Sequence, residues 1–280
     1  MKYTIWIVFI ALSLSLDANN TISEAKKAYQ SSKYLKAKNI LKKSANRGNI
    51  DAQIELGFMY QEGKGIAQEY DKAYYWFKKA SKHKDPRAYY YLANMYEKGL
   101  GVEKNSTQAL SYYKRAALLE NLDAQYRLGA LYYQGKEVKQ DILESIKWYT
   151  KAAYAGDIQS QFNLGVIYEK AKDYTKSLFW YEKAAKANDV NAQYNLATLY
   201  YSGKGVRQDY QKAVYWYTEA SKNGDSKAQY NLGVMYHKGI GVPKNKITAF
   251  HYWLESAKHS SVEAQDSLDI LCKESPWACK

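Results

Sequence analysis

One phrase recurs along this chain, most legibly as AQYNLATLYYSGKGVRQDYQKAVYWYTEASKNGD at 192–225 and AQYNLGVMYHKGIGVPKNKITAFHYWLESAKHSS at 228–261. Its first residue falls at Ala52, Ala88, Ala124, Ser160, Ala192, Ala228 and Ala264, in steps of 36, 36, 36, 32, 36 and 36 residues. A fixed period of this size marks a solenoid, in which each unit buries its apolar side only against its neighbours. Residues 21–273 are therefore expected to form one elongated array.

Within a unit the apolar residues follow helical spacing. Ala192, Leu196, Ala197 and Tyr200 line one face of a first helix, and Ala213, Trp216 or Tyr217, and Ala220 line one face of a second. Small residues recur beside the leucine, as at Gly57, Ala93, Gly129, Gly165, Ala197 and Gly233. Glycine costs about 1 kcal/mol in a helix interior relative to alanine, so its reappearance implies close helix approach. Between the helices stand Gly63-x-Gly65, Gly99-x-Gly101, Gly203-x-Gly205 and Gly239-x-Gly241. A dinucleotide fingerprint needs a preceding strand and a third glycine, and a P-loop needs a Gly-Lys-Ser/Thr ending, so these glycines read as helix ends. Tyr29, Tyr34, Ala37, Leu41 and Ala45 imitate the short 160 unit, whose loop should be tighter, and make 21–51 a further repeat. Residues 262–273 supply one more first helix without a partner. The expected class is all-α, with about seven helix-turn-helix repeats and a C-terminal capping helix.

The pattern A-x-x-x-L-G-x-x-Y, then G-x-G-V, K-A, W-Y and A-A or A-S, resembles the Sel1-like repeat family, a relative of the tetratricopeptide repeats. Ala228, Leu232, Gly233, Tyr236, Gly239, Gly241, Val242 and Ala249 fill it almost completely. The departures are the loop Gly135-Lys136-Glu137, the shortened 160 unit, and Ser145 and Ser177 in place of the second-helix alanine. The resemblance implies a right-handed α/α superhelical solenoid that works as a non-catalytic scaffold or adaptor, holding a protein or peptide on its concave side.

That geometry nominates a surface on the first helices. Tyr90, Tyr126, Phe162, Tyr194 and Tyr230 share one position; Tyr91, Arg127, Asn163, Asn195 and Asn231 share the next. Asn94, Tyr133, Tyr201 and His237 follow within two turns. An asparagine ladder beside a tyrosine ladder can hydrogen-bond an extended peptide backbone and stack on its side chains. The competing reading of the tyrosines is packing between repeats. A polar asparagine at a packed position would be costly, which favours the surface for that column.

Met1-Lys2 followed by the apolar run Ile5 to Leu16 reads as a secretory signal peptide over 1–18, with cleavage after Ala18 or Ser15. A run this short does not span a bilayer comfortably, so no transmembrane span is expected once it is removed. The implied location is the periplasm or the exterior. Cys272 and Cys279 then read as a disulfide closing the tail 274–280, the rival being two free thiols.

Lys and Arg number 41 against 28 Asp and Glu, a net of +13. The lysines are spread through every repeat without an arginine run or a nucleic-acid motif, so a solvated face is expected, and no specific nucleic acid. Cell-envelope components are compatible partners for a basic exported protein. His83, His237, His251 and His259 lack ligand spacing, and neither metal nor cofactor is expected. Ser23-x-x-Lys26, Ser81-x-x-Lys84 and Ser111-x-x-Lys114 share a spacing with serine β-lactamases and penicillin-binding proteins, without the accompanying motifs. Cysteine-rich members of the resembled family are sometimes named for that hydrolase activity, which is the alternative function. Glu103-x-Asn105-x-Thr107 resembles an acidic bacterial glycosylation sequon in a loop, making Asn105 a candidate glycan site.

Overall fold

The computed structural model describes residues 20–279; the signal-peptide reading of 1–18 lies outside them, as does Lys280. Among the described residues the chain is helical, with fifteen α-helices, one 3₁₀ turn and no strand. The helices fall into two compact units that divide between residues 145 and 146. The first holds α1 (20–30), α2 (Tyr34–Asn46), α3 (Ile50–Glu62), α4 (Tyr70–Ser81), α5 (Pro86–Lys98), α6 (Ser106–Leu118) and α7 (Leu122–Gln134). The division falls inside α8 (Ile142–Tyr154). The second holds α9 (Ile158–Lys170), α10 (Tyr174–Lys186), α11 (Val190–Ser202), α12 (Tyr210–Lys222), α13 (Ser226–Lys238), α14 (Lys246–Lys258) and α15 (Val262–Glu274). Within each unit a helix packs chiefly on the ones before and after it, the connectivity of a stacked α/α solenoid.

The phrase specifies its own helix boundaries. An Asp or Asn closes every unit but the last, where Ser261 stands, and caps the next first helix: Asp189 Oδ1 accepts from the Ala192 amide at 2.7 Å and Asp225 Oδ1 from the Ala228 amide at 2.6 Å. At the other end Gly203 and Gly239 adopt left-handed backbone, and their amides return to Leu199 and Met235 carbonyls. The second glycine of the loop is needed for a different reason. A Cβ on Gly101 would stand 2.7 Å from the Tyr70 carbonyl carbon of the preceding repeat, so the loop rests directly on neighbouring backbone. The 158 unit dispenses with this loop: only residues 171–173 join α9 to α10, with Lys172 at φ 61°. Where Glu137 replaces the second glycine, its carboxylate instead accepts from Lys104 and Ser106.

Alanine and leucine fill the centre, and the eighth residue of the second helix is aromatic in the repeats from α3 onward. Phe77, Tyr113, Tyr149, Tyr181, Tyr217 and Trp253 are all buried. Three of them face the glycine of their first helix: a Cβ on Gly57 would approach the Phe77 ring to 2.6 Å, one on Gly165 the Tyr181 ring to 2.4 Å and one on Gly233 the Trp253 ring to 2.3 Å. The glycine of the motif is therefore a socket for an aromatic ring. Ser145 and Ser177 turn the departure from alanine into buried hydrogen bonds, donating to the carbonyls of Gly129 at 2.8 Å and Gly165 at 2.9 Å. At the C-terminal end α15 packs on α14 through Leu268 and Leu271, and a disulfide joins Cys272 to Cys279 beyond it.

Candidate functional site

In the first unit, α5 and α7 bring three of the nominated residues, Tyr90, Asn94 and Arg127, into one network. Tyr90 lies 5.9 Å from the Tyr113 ring, and the Tyr113 hydroxyl donates toward Asn94 Oδ1 at 3.1 Å and Glu97 Oε2 at 2.7 Å. Asn94 Nδ2 returns to the Tyr90 carbonyl at 3.1 Å. Arg127, one repeat on, closes the group with donors to both Glu97 oxygens. Burial pushes the Tyr113 hydroxyl far above its ordinary range, and the neighbouring Glu97 carboxylate pushes it the same way. Burial works against the Arg127 charge, but the hydrogen bond and charge of Glu97 raise its pKa overall. Tyr91 is stacked on Phe77 at 4.7 Å, and Tyr126 and Tyr133 are half-buried on α7.

The second unit repeats the arrangement with asparagines. Phe162 lies 5.8 Å from Tyr181, whose hydroxyl donates to Glu169 Oε2 at 2.7 Å. Tyr194 lies 5.7 Å from Tyr217, whose hydroxyl meets Thr198 Oγ1 at 3.0 Å. Asn195 and Asn231 lie near the buried tyrosine of the preceding repeat, Asn195 near Tyr181 and Asn231 near Tyr217, where each opposes the upward push of burial on the hydroxyl. Burial raises both hydroxyls, Tyr217 to about 12. These tyrosines are held protonated, as hydrogen-bonding struts and not nucleophiles. Asn163 is half-buried on α9, Tyr201 lies 5.4 Å from Tyr210, and the Tyr230 carbonyl accepts from Trp253 Nε1 at 3.1 Å. His237 sits 5.4 Å from Trp253, its pKa lowered by burial and then by Lys244 and Lys246.

The polar column thus meets its hydrogen-bonding needs partly inside the protein. Asn163, Asn195 and Asn231 escape the burial cost that singled them out by staying half-exposed, and the aromatic column beside them is half-exposed too. Two sets of residues escaped the sequence reading. Glu97 and Glu169, each directly after the helix tyrosine, anchor the buried hydroxyls. Gln53, Gln125, Gln161, Gln193 and Gln229 are buried and donate to the last carbonyls of the preceding second helix, as Gln161 Nε2 does to the Ala153 carbonyl at 3.0 Å. The recurring Ala-Gln or Ser-Gln pair was the available signal.

Asn105 is exposed, and it is the N-cap of α6, its Oδ1 accepting from the Gln108 amide at 2.9 Å. The sequon therefore runs from the loop into the first helical turn. Two of the Ser-x-x-Lys spacings have a member engaged elsewhere: Lys26 is paired with Glu55 at 3.0 Å, and the Ser81 hydroxyl donates to the Lys78 carbonyl at 2.8 Å. Among the described residues no group of three His, Cys, Asp or Glu is placed to hold a metal ion, and no helix is long and apolar enough to cross a membrane.

Six consecutive segments, 50–85, 86–121, 122–157, 158–189, 190–225 and 226–261, match the Sel1 repeat. The chain belongs to the Sel1 repeat family. Sel1 repeat proteins are generally protein-interaction scaffolds. A protective antigen present in uropathogenic Escherichia coli strains, displaying an SLR fold, is similar over 95% of this chain with a TM-score of 0.85 and 28% identity. This chain spans 58% of that antigen's length. A Sel1 repeat protein from Oxalobacter formigenes is 32% identical, covering 85% of this chain and 99% of its own, with a TM-score of 0.68. The C-terminal part of a TPR repeat-containing protein from Cytophaga hutchinsonii shares the fold, with a TM-score of 0.56 at 15% identity over 88% of this chain and 99% of its own. No curated protein matches the sequence significantly.

Proposed function

We propose that this Sel1 repeat protein is a non-catalytic scaffold that works outside the cytoplasm and holds an extended protein or peptide segment on its first helices. The observation that carries the reading is the repeated pairing of a half-exposed aromatic residue, held in place by packing on the core, with a half-exposed polar neighbour, as in Tyr194 and Asn195 and again in Tyr230 and Asn231. Side chains ordered before binding lose less entropy on capture, which favours affinity from a shallow surface. The ionisable groups of this face are consumed in paired struts such as Glu97 with Arg127, which supports holding over bond-breaking. The Cys272–Cys279 disulfide and the apolar run at 5–16 support an oxidising compartment, the periplasm or the exterior. There a cell-envelope protein or peptide is the partner we favour over nucleic acid, for the basic residues form no nucleic-acid motif and many lysines cover aromatic rings. A glycan on Asn105 is compatible with the cap, which uses only the side-chain oxygen.

The test is capture of envelope proteins by the purified protein and by an N163A/N195A/N231A variant. Tyr181 and Tyr217 keep Glu169 and Thr198 as partners in that variant, so its helicity should persist. Loss of capture with unchanged circular dichroism supports the surface; unchanged capture moves the site elsewhere. Periplasmic fractionation and a thiol assay check the compartment, and reduced thiols in the native protein would oppose it.

A further inference from the structure

The first repeat breaks the aromatic rule. In α2 the eighth residue is Leu41, where the later repeats place Phe77, Tyr113, Tyr149, Tyr181, Tyr217 and Trp253. Beside Leu41 lies a cavity of about 120 Å³ lined by Ala25, Tyr29, Phe58 and Met59, with Lys26 and Glu55 also in its wall. Ala25, Leu41 and Met59 are buried, while the Lys26 and Glu55 side chains are 58% and 34% exposed and pair at 3.0 Å, which places them at the mouth. Ala25 holds the small first-helix position that Gly165 and Gly233 hold opposite their rings. The cavity is thus the aromatic socket of the repeat with its ring missing.

We propose that this socket binds an aromatic side chain, tyrosine above all, presented by an acidic segment of a partner peptide. Three observations select that occupant. The first is shape: an apolar cavity of roughly 150 Å³ accommodates a whole benzene, and this one, at about 120 Å³ and open at its mouth, takes a ring inserted edge-first with its stem and hydroxyl left at the opening. The second is chemistry. The internal tyrosines end on carboxylates, Tyr113 on Glu97 and Tyr181 on Glu169, and Glu55 offers a carboxylate at the mouth. The third is charge. Residues 20–49 contain seven lysines and Arg47 against Glu24 alone, a net of +7 out of the chain's +13. More than half of the basic excess therefore lies on α1, α2 and their flanking turns, and although Lys26 and Glu55 pair with each other at the mouth, an acidic segment is drawn to the lysines beyond them.

The inference rests on the scaffold reading only for the peptide as the source of the ring. Its test uses short probes that need no partner: acetylated and amidated Asp-Tyr-Asp, Asp-Leu-Asp and Lys-Tyr-Lys, titrated into the full chain by calorimetry. Asp-Tyr-Asp should bind saturably and about tenfold tighter than Asp-Leu-Asp. Lys-Tyr-Lys should bind more weakly than Asp-Tyr-Asp, with the difference shrinking in salt. Leu41→Phe restores the missing ring, should melt at a higher temperature than the native protein, and should lose Asp-Tyr-Asp binding. Ala25→Val, which narrows the socket from its other wall, gives the same readout should Leu41→Phe fail to fold. Absence of saturable binding, equal binding of the tyrosine and leucine probes, or binding undiminished in the folded filled-socket variant would each overturn the proposal. The asparagines of the capture test lie on α9, α11 and α13, so failure of capture and failure of ring binding are separate results.

Discussion

The hydroxyl of Tyr181, on a second helix, ends 2.7 Å from Oε2 of Glu169 on the first helix of the same repeat, and the tyrosine ring is fully buried. The bond lets a ring fill the core while its polar end reaches the half-exposed face of the first helices, the surface proposed for binding. Tyr181→Phe keeps the ring and removes the donor, which should cost about 2 kcal/mol, the range for a buried hydrogen bond to a charged group. Tyr201→Phe keeps its ring contact with Tyr210 and should stay within about 0.5 kcal/mol. Urea unfolding of the two variants decides it; equal midpoints would remove the strut from the account.

The buried tyrosines also set an alkaline limit. Burial raises Tyr113, Tyr181 and Tyr217 above their ordinary value, Tyr217 to about 12. A group whose folded pKa is raised keeps its proton more tightly in the native state, so its contribution is full below about pH 10 and is lost as pH rises beyond that. Stability should therefore fall steeply above about pH 10. Absorbance titration should show a class of tyrosines ionising only as the helices unfold. A single titration of all tyrosines near their ordinary value, with helicity retained, would contradict it.

Gly101 and Gly48 separate two costs of a left-handed residue. Both have positive φ, 64° and 93°, but a Cβ at Gly101 meets Tyr70 backbone whereas one at Gly48 meets nothing within 4 Å. Gly48→Ala should cost about 1–2 kcal/mol from backbone strain alone. Gly101→Ala should cost at least about 1 kcal/mol more, since the loop must lift from its neighbour. Thermal melts of the pair give the comparison, and equal losses would mean that the loop contact does not matter.

Much of the fold was legible because a helical hairpin writes its instructions locally. The period, the capping Asp189 and Asp225, and the helix-ending Gly203 and Gly239 all lie within a few residues of what they control. The candidate face was legible only as columns. That Arg127 spends hydrogen-bonding capacity on Glu97 depends on how two helices from adjacent repeats are set against each other, which spacing along one chain does not encode. Gln193 shows the same gap. It recurs in the phrase as plainly as its alanine neighbour, yet its bond to the Ala185 carbonyl at 3.3 Å crosses to the previous hairpin. Leu41 was visible as part of a first repeat, but its significance needed the buried rings of the later repeats for comparison.

The central claim is that partners are held on the first helices. Hydrogen–deuterium exchange of the protein, free and with a captured partner, tests it most directly. Protection should rise along α9, α11 and α13, around Asn163, Asn195 and Asn231, and leave the outward positions of the second helices, such as Phe179 and Tyr215, unchanged. Protection concentrated on α10, α12 and α14 instead, with the first helices unaffected, would contradict the account.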